Sequence, residues 1–442
     1  MHFTPAALGS KSFREDYGTL YTYMSGAMYK AIASKEMVVC MGKAGYLGIY
    51  GSGGVPLDEV SNSIRYIQHE LSNGESYGVN IVCSPSFPNY EQDLVNIFLK
   101  YGVRVMEASA FMHVTPALVH YRLNGLTRKN SGEIVAENKI LAKISRPEVA
   151  AAFLNPAPRN IVESLLQNGD ISTEQAELSS YIPMADDLCA EADSGGHTDM
   201  GVMTALLPTI IRQAKEICGL RAYSKPVRVG AAGGIGTPEA VASAYLMGAA
   251  FVLTGSINQC TVEAGTSDAV KDMLQQLNIQ DTDYAPAGDM FELGAKVQVM
   301  KRGVFFPVRA NKLYDLWRTH SSLYEIDERT RQQIEVKFFG KSFDEVYEET
   351  KEYYLRVAPH EIDKAERTPK YKMSLVFRWY FIHSTRLAMS GSEKQRMDYQ
   401  VHTGPAMGAF NQWAKGTDME NWRNRHVDLI ADRLMQEAAD IL

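Results

Sequence analysis

The sequence predicts a (β/α)8 barrel, or TIM barrel, with a helical insertion and a C-terminal helical appendage. Between residues 36 and 256, short apolar or β-branched runs alternate with amphipathic helical windows, a pattern typical of parallel strands covered by helices. We identify eight such runs, the number that closes a barrel. After Gly265 strand-like runs become rare, and long charged helical windows with scattered aromatic residues follow.

The eight predicted strands are short and are separated by helical windows. They are 36-EMVVCM-41, 46-YLGIYG-51, 78-GVNIVC-83, 103-VRVMEA-108, 139-KILAKIS-145, 187-DLCAEA-192, 227-VRVGAA-232 and 250-AFVLTG-255. Several of the helical windows open on proline or aspartate, which favour the first turn of a helix. These signals predict an N-terminal segment over 1–35, a barrel over 36–265 with the insertion near 156–182, and the appendage over 266–442. The chain shows no repeat and no low-complexity linker, so we expect the appendage to pack on the barrel.

The composition argues against several classes of protein. The chain has 442 residues, 45% of them hydrophobic, and a formal net charge of −7, so it can bury a large core and does not favour nucleic acid. No apolar stretch reaches the roughly 20 residues of a membrane span, and the first residues lack the features of a secretory signal. Five scattered cysteines suggest neither disulfides nor a metal site. We expect a cytoplasmic protein that binds neither nucleic acid nor membrane.

Glycines cluster after the seventh and eighth predicted strands, where TIM barrels often hold a phosphate. The first cluster, in 228-RVGAAGGIGTPEAV-241, contains Gly233, Gly234 and Gly236, and the second contains Gly255 followed by Ser256. Glycine lets backbone N–H groups approach an anion, and the start of the following helix adds a favourable dipole. Tight strand-to-helix turns alone would also explain either cluster. Because both lie where this fold holds phosphates, we predict a phosphate site.

A Gly-Gly-His turn follows the sixth predicted strand, in 188-LCAEADSGGHTDMG-201. Asp193 begins this predicted loop, Gly195 and Gly196 would let a flat ligand lie against the backbone, and His197 could donate a hydrogen bond or a proton. The alternative is a loop histidine that caps the next helix. The predicted position of His197, at the same end of the barrel as the phosphate loops, favours a functional role.

Four other segments are expected at the same end of the barrel. Met41 ends the first predicted strand and Gly42 follows it, Asn80 lies in the third, and Glu107–Ser109 end the fourth. Lys143 stands within the apolar run 140–145, where a lysine is costly to bury unless it meets negative charge or an electron-rich acceptor. A surface lysine with a partly buried stem is the alternative.

These segments together resemble a known family of flavin enzymes. The turn 190-AEADSGGHTD-199, the run 229-VGAAGGIGTPEAVASAYLMGA-249 and 251-FVLTGSINQ-259 resemble FMN-dependent barrels of the nitronate monooxygenase-like superfamily. The segments 36–60, 103–122, 373-MSLVFRWYF-381 and 399-YQVHTGPAMGAFNQW-413 are similar to the trans-acting enoyl reductases of trans-acyltransferase polyketide synthases and polyunsaturated fatty acid synthases. The likeness covers nearly the whole chain. One departure is that the first predicted strand lacks the proline-bearing PxxxAPM pattern of nitronate monooxygenases.

The resemblance implies an FMN cofactor and assigns it a set of contacts. The phosphate would lie between the two glycine loops, and the ring would lie beside Lys143 and the Gly-Gly-His turn. Lys143 would face the N1 and C2 oxygen end of the flavin, and His197 would border its reacting face. The full implied cofactor set is Met41, Gly42, Asn80, Lys143, Asp193, Gly195, Gly196, Gly233, Gly234, Gly236, Gly255 and Ser256, with His197 and Lys143 as the catalytic pair.

The resemblance further implies that NADPH or NADH supplies hydride for reduction of the α,β double bond of an enoyl thioester. The thioester would be carried by an acyl carrier protein within a polyketide or fatty acid synthase complex. Basic residues of 364-KAERTPKYK-372 could dock the carrier, although solvated helix faces explain them equally well. Alternatives are a nitronate monooxygenase-like flavin oxidase, a nucleotide-binding barrel like IMP dehydrogenase, and a non-catalytic docking subunit. The sequence leaves the coenzyme and the oligomeric state open, a homodimer included.

Overall fold

The computed structural model describes residues 3–83 and 88–442, whose strands form a closed barrel and two small sheets. In chain order the strands are β1 (Tyr23–Ser25), β2 (Leu47–Tyr50), β3 (Tyr77–Val82), β4 (Val105–Ser109), β5 (Thr127–Arg128), β6 (Ile134–Val135), β7 (Lys139–Ile144), β8 (Asp187–Glu191), β9 (Gly196–Thr198), β10 (Arg228–Ala232), β11 (Val252–Thr254), β12 (Thr282–Pro286) and β13 (Lys296–Met300).

The barrel confirms the predicted fold class. Its strands follow the order β1, β2, β3, β4, β7, β8, β10 and β11, and β11 pairs with β1 to close it. All of the pairs are parallel. The carboxyl ends of all eight strands therefore lie at one end of the barrel, where enzymes of this fold place their sites.

Helices follow the barrel strands and continue through the C-terminal part of the chain. They are α1 (Lys11–Tyr17), α2 (Lys35–Lys43), α3 (Leu57–Glu70), α4 (Pro88–Lys100), α5 (Pro116–Leu123), α6 (Pro147–Leu154), α7 (Arg159–Asn168), α8 (Thr173–Leu178), α9 (Met203–Arg221), α10 (Pro238–Leu246), α11 (Asp268–Leu274), α12 (Phe306–Thr319), α13 (Glu328–Ile334), α14 (Phe343–Val357), α15 (Pro359–Arg367), α16 (Pro369–Ser390), α17 (Pro405–Ala414) and α18 (Val427–Ile441). Helices α7 and α8 occupy the segment predicted as an insertion. Among the described residues, no helix combines the length and apolar character needed to cross a membrane.

The prediction of a first strand over 36–41 is wrong, because this segment belongs to α2. The side chain of Ser34 caps the helix by accepting a hydrogen bond of 3.0 Å from the backbone N–H of Met37. Met37, Val38 and Met41 are fully buried, which is the i, i+1, i+4 spacing of one helix face. The first strand of the barrel is β1, so the barrel begins within the segment predicted as N-terminal to it.

A buried ion cluster closes the amino end of the barrel. Arg228, the first residue of β10, is paired in register with Asp187, the first residue of β8. Its guanidinium donates to both carboxylate oxygens of Asp187, at 2.6 and 2.9 Å, and to Asp16 of α1 at 2.7 Å. Tyr17 donates to Asp187 at 2.6 Å, and the ring of Phe13 stacks at 4.6 Å on Phe251. Helix α1 thereby covers this end with a satisfied charge cluster and an apolar plug.

The described chain divides into two compact units. Unit 1 comprises the chain up to Ser194, Met200–Gly265 and Gln412–Leu442, and unit 2 comprises Gly195–Asp199 and Thr266–Asn411. The barrel belongs to unit 1. The chain returns to unit 1 after Asn411, where α18 packs against α10, and the hydroxyl of Tyr245 contacts the sulfur of Met435 at 3.6 Å.

Unit 2 combines a small antiparallel sheet with helices. The sheet has the order β12, β13, β9, so the short strand that carries His197 pairs with β13 rather than forming a loop. Helix α16 supplies much of the core through Phe381, whose ring meets Phe291 and Phe306 edge to face at 5.6 Å each. Such aromatic contacts add to the area that the rings bury.

Arg228→Met should strongly destabilise unit 1. The change leaves the carboxylate of Asp187 buried without its cation, which typically costs about 3–5 kcal/mol of unfolding free energy. Lys225→Met is the matched control, because Lys225 is exposed and contacts Asp16 at 3.4 Å, an arrangement that contributes at most about 1 kcal/mol. Urea unfolding of the two variants measures the difference. Equal losses would show that the cluster does not stabilise the barrel.

Candidate active site

Five polar side chains converge at the carboxyl ends of neighbouring barrel strands. Asn80 of β3 is paired in register with Glu107 of β4, and Ser109 ends β4. Lys143 lies near the end of β7, which pairs with β8, and Glu191 is the last residue of β8. The alternation of side chains along a strand explains why these residues share the barrel interior.

Glu107 is the hydrogen-bond centre of this cluster. Its Oε1 accepts from the amide of Asn80 at 3.1 Å and from the hydroxyl of Ser109 at 3.4 Å. Its Oε2 accepts from the backbone N–H of Ala27, just after β1, at 3.3 Å. Burial raises the pKa of Glu107 above its ordinary value, while the nearby Lys143 acts in the opposite direction. The carboxylate thus ties the ends of β1, β3 and β4 together.

Lys143 is a buried cation between two carboxylates. Its side chain is 14% exposed, and its Nζ lies 3.3 Å from Oε1 of Glu191, which also accepts from Ser194 at 3.2 Å. Burial lowers the pKa of Lys143, but Glu191 and then Glu107 raise it by more, so the ammonium remains charged at neutral pH. The alternative of a surface lysine is therefore excluded, and an electron-rich ligand at this end of the barrel would meet a fixed positive charge.

The loop after β10 has the geometry of an anion site. Gly233 and Gly234 have φ angles of +85° and +74°, which glycine adopts without strain. A Cβ on Gly233 would lie 2.7 Å from the backbone of Ala192, so this position also needs glycine for space. Gly236 is buried just before Thr237, whose side chain caps α10 by accepting from Ala240. A bending, glycine-lined backbone therefore leads directly into the amino end of a helix.

The second glycine loop lies beside the first. Strands β10 and β11 are neighbours through the pair Ala231 and Val252, and Gly255 directly follows β11. A Cβ on Gly255 would meet no atom within 4 Å, so the space beside this backbone is open. Ser256 begins the 3-10 helix that follows. The two loops are thus adjacent at the end of the barrel where the sequence predicts a phosphate.

The Gly-Gly-His residues belong to unit 2, whereas Asp193 and Ser194 before them belong to unit 1. In unit 1, the backbone N–H of Asp193 donates to the carbonyl of Gly201 at 2.8 Å. In unit 2, Gly196 and His197 lie in β9 opposite Gln298 and Val297 of β13. The Nε2 of His197 lies 2.9 Å from Oδ1 of Asp289. His197 is thus paired with a carboxylate, and it does not cap a helix.

Met41 and Gly42 are not at the carboxyl ends of the strands. Both lie in α2, where a Cβ on Gly48 of β2 would come within 3.1 Å of Met41. A Cβ on Gly42 would meet the side chain of Leu71 at 2.7 Å. The two residues pack α2 against its neighbours, so they do not occupy the strand end at which the sequence placed them. The segment that does follow the first barrel strand begins at Gly26, where a Cβ would meet Leu253 at 2.5 Å.

The basic segment 364–372 has partners within unit 2. The ammonium of Lys370 donates to the carbonyls of Trp317 and His320. Lys372 lies 3.8 Å from the ring centroid of Tyr347, and Lys364 lies 3.7 Å from that of Tyr371. The contacts of Lys372 and Lys364 are cation–π interactions within unit 2. These partners favour a structural role for the segment over docking of a carrier protein.

Comparison with known proteins assigns the chain to a family. The crystal structure of the enoyl reductase domain of MlnA, from the macrolactin biosynthesis cluster of Bacillus amyloliquefaciens, is 48% identical, with a TM-score of 0.95 over 99% of this chain and 98% of that one. The chain belongs to the family of this enoyl reductase domain. Residues 320–399 also match the family model of the inserted helical domain of acyl-carrier-protein S-malonyltransferase.

Two curated relatives extend this family assignment. The polyketide biosynthesis protein PksE of Bacillus subtilis is 53% identical over 99% of this chain. A polyunsaturated fatty acid synthase polypeptide of Thraustochytrium is 45% identical over 93% of this chain. The chain spans 57% of the length of PksE and 28% of the length of the Thraustochytrium polypeptide. Sequence similarity to proteins of both pathways confirms the family resemblance.

Glu107 was expected at this end of the barrel but was assigned no role, and neither Glu191 nor Asp289 was predicted as a functional residue. Glu107 interrupts the apolar run 105–109 in the way that Lys143 interrupts its own strand, and this shared signal could have indicated a role. Glu191 ends the strand before the Gly-Gly-His segment, and its position could also have indicated a role. Asp289 lies 92 residues after His197 in a turn with no motif, so only the tertiary structure reveals the pair.

Lys143→Met should destabilise the protein in a pH-dependent manner. Loss of the ammonium leaves Glu107 and Glu191 without a cation and raises the pKa of Glu107 further. The folded variant then binds protons more tightly than the unfolded chain, so its deficit grows as the pH rises. We expect the free energy of unfolding to fall by about 3–5 kcal/mol near neutral pH, and by less at about pH 5. Urea unfolding across this range measures it. Lys43→Met, which removes an exposed partner of Glu70, is the control and should show no such pH dependence. A loss of unfolding free energy in Lys143→Met that does not change with pH would contradict this account.

Proposed function

We propose that the protein is an NAD(P)H-dependent, FMN-mediated enoyl reductase that acts on α,β-unsaturated thioesters of an acyl carrier protein in polyketide or polyunsaturated fatty acid synthesis. The observation that carries the proposal is the buried ammonium of Lys143 at the barrel end that also bears two adjacent glycine loops. A flavin mononucleotide presents a phosphate to such loops and an electron-rich ring to such a cation. The similarity to the MlnA enoyl reductase domain supports the choice of reaction.

The residues of unit 1 fit this cofactor. Gly233, Gly234, Gly236, Gly255 and Ser256 would hold the phosphate by their backbone N–H groups, since the glycines leave the approach to the main chain free of side chains. The dipole at the amino end of α10 would add to this attraction. Asn80 and Lys143 would lie beside the ring, where the fixed charge of the ammonium stabilises negative charge without reorganisation.

The protein's own groups would supply charge stabilisation and a proton. When bound, FMN supplies hydride transfer between NAD(P)H and the β-carbon of the enoyl thioester. Negative charge then develops on the thioester oxygen, and a hydrogen-bond donor already aimed at that oxygen lowers the barrier. His197 is the proposed donor and the acid that protonates the α-carbon. Oxidase chemistry on nitronates and a docking role without catalysis are the competing outcomes.

The purified protein should be yellow and should release FMN on denaturation. With NAD(P)H it should reduce an enoyl thioester on an acyl carrier protein faster than it turns over a nitronate under air. Absorbance spectra, mass spectrometry of the released compound and NAD(P)H oxidation with each substrate measure these outcomes. A colourless protein would favour the docking role, and faster turnover of the nitronate would favour the oxidase.

Gly233→Ala should weaken FMN binding. An alanine at a φ of +85° costs roughly 1–2 kcal/mol, and its Cβ would also collide with the backbone of Ala192. We expect at least a roughly tenfold rise in the Kd for FMN, since 1.4 kcal/mol corresponds to a factor of ten. Fluorescence titration of stripped protein gives the Kd, and circular dichroism verifies folding. Gly219→Ala in α9, where a Cβ meets nothing within 4 Å, is the control; equal affinity of both variants would refute the phosphate site.

A further inference from the structure

The ring orientation of His197 determines which of its nitrogen atoms can act on a substrate. Nε2 lies 2.9 Å from Oδ1 of Asp289, and a carboxylate accepts hydrogen bonds but does not donate them. Nε2 therefore carries hydrogen toward Asp289. The remaining ring nitrogen, Nδ1, can release a proton only when the ring is the charged imidazolium. About a third of the His197 side chain is exposed, at 36%, so the ring is accessible to a ligand.

The turn that carries Asp289 is held firmly within unit 2. The turn lies between β12 and a 3-10 helix that begins at Phe291. A Cβ on Gly288 would come within 2.8 Å of Phe381, so the backbone packs directly on α16. Ala287 donates to the carbonyl of Ala295 at 2.8 Å, which closes the base of the turn. The carboxylate is therefore presented from a packed backbone, as a group that orients an imidazole must be.

A second histidine, His402, also lies in unit 2. Its Nε2 lies 2.7 Å from the amide nitrogen of Gln400, and Thr385 donates to the amide oxygen of Gln400 at 3.2 Å.

The remaining charged groups around Asp289 come from three elements. Arg378 of α16 acts electrostatically with Asp289 and pairs with Glu292 of the 3-10 helix at 3.6 Å. Lys296 begins β13, opposite Thr198 of β9. Burial acts to raise the pKa of Asp289, but His197, aided by His402, lowers it below its ordinary value. The carboxylate therefore stays ionised and can stabilise a positive ring beside it.

We propose that Asp289 is the positioning residue for His197, and that the imidazolium of His197 delivers its Nδ1 proton to the α-carbon of the substrate. This inference rests on the proposed function. Hydride addition at the β-carbon leaves the electron pair of the former double bond in the thioester enolate. That pair forms the new bond between the α-carbon and the proton, and the N–H bond at Nδ1 breaks. The ring becomes neutral and regains its proton from water, while Asp289 keeps its charge throughout.

NMR of 15N-histidine-labelled holoprotein tests the pair independently of activity. The His197 signals are identified by their loss in His197→Gln. In wild type, the neutral ring should be the Nε2–H tautomer, and the ring should titrate above the ordinary histidine pKa of about 6.5. Asp289→Asn should lower this titration by up to about one pH unit, because the pair is partly exposed to water and exposed ion pairs are weak. Asp289→Glu should restore part of it, and Asp315→Asn, an exposed acid on α12, should leave it unchanged.

Enoyl reductase kinetics provide the second readout. The alkaline limb of the kcat profile should move to lower pH in Asp289→Asn by the same amount as the NMR titration, with FMN still bound. His197→Gln should lower kcat by about 10²–10⁴ and abolish the limb. A His197 titration that Asp289→Asn leaves unchanged, or an Nδ1–H tautomer in wild type, would overturn the proposal. If wild type does not reduce enoyl thioesters at all, the proposed function and the proton-delivery step fall, while the NMR titration still decides whether Asp289 positions the ring.

Discussion

The buried ammonium of Lys143 is the constraint on which the end of the barrel depends. A cation cannot be removed from water without compensation, and this one is compensated by Glu191 on the next strand and by Glu107 on the previous strand of the barrel. Each carboxylate in turn holds other groups, since Glu191 accepts from Ser194 and Glu107 accepts from Asn80. One charge therefore fixes the ends of several strands. This organisation holds the ammonium of Lys143 at a defined place in the end of the barrel.

The glycines of the two neighbouring loops matter as much for their lack of a side chain as for their flexibility. Gly233 brings the end of β10 so close to Ala192, just after β8, that no side chain fits between the two backbones. Gly255 has open space beside it instead, since an added Cβ would meet no atom within 4 Å. Glycine thus allows a close backbone contact in the first loop and leaves open space beside the backbone of the second. Together they leave backbone free of side chains at the end of the barrel that also bears Lys143.

The sequence predicted the parts of the fold that local patterns specify. Seven of the eight predicted barrel strands overlap strands of the barrel, because their apolar runs are long enough to separate from the helices around them. β1 was missed because it has three residues, Tyr23–Ser25, too few for a periodic pattern. The segment 36–41 was assigned as a strand because consecutive apolar residues hide the helical spacing of Met37 and Met41. Because this helix was assigned as a strand, Met41 and Gly42 were predicted at the carboxyl end of the barrel, whereas both lie in α2.

The site was predictable where its residues follow strands and unpredictable where they come from distant segments. Lys143 and the glycine loops lie at positions that the barrel itself specifies. His197 differs, because its backbone belongs to β9 and is set by pairing with β13, 100 residues further along the chain at Val297. In a strand, a slip of one residue would turn the ring to the opposite face, so this pairing specifies the direction of the imidazole more strictly than a loop would. Gly196 has a φ of +83°, which glycine adopts without strain, and it lets the chain enter that strand. The direction of the His197 ring is therefore set by unit 2, and only the tertiary structure could reveal that dependence.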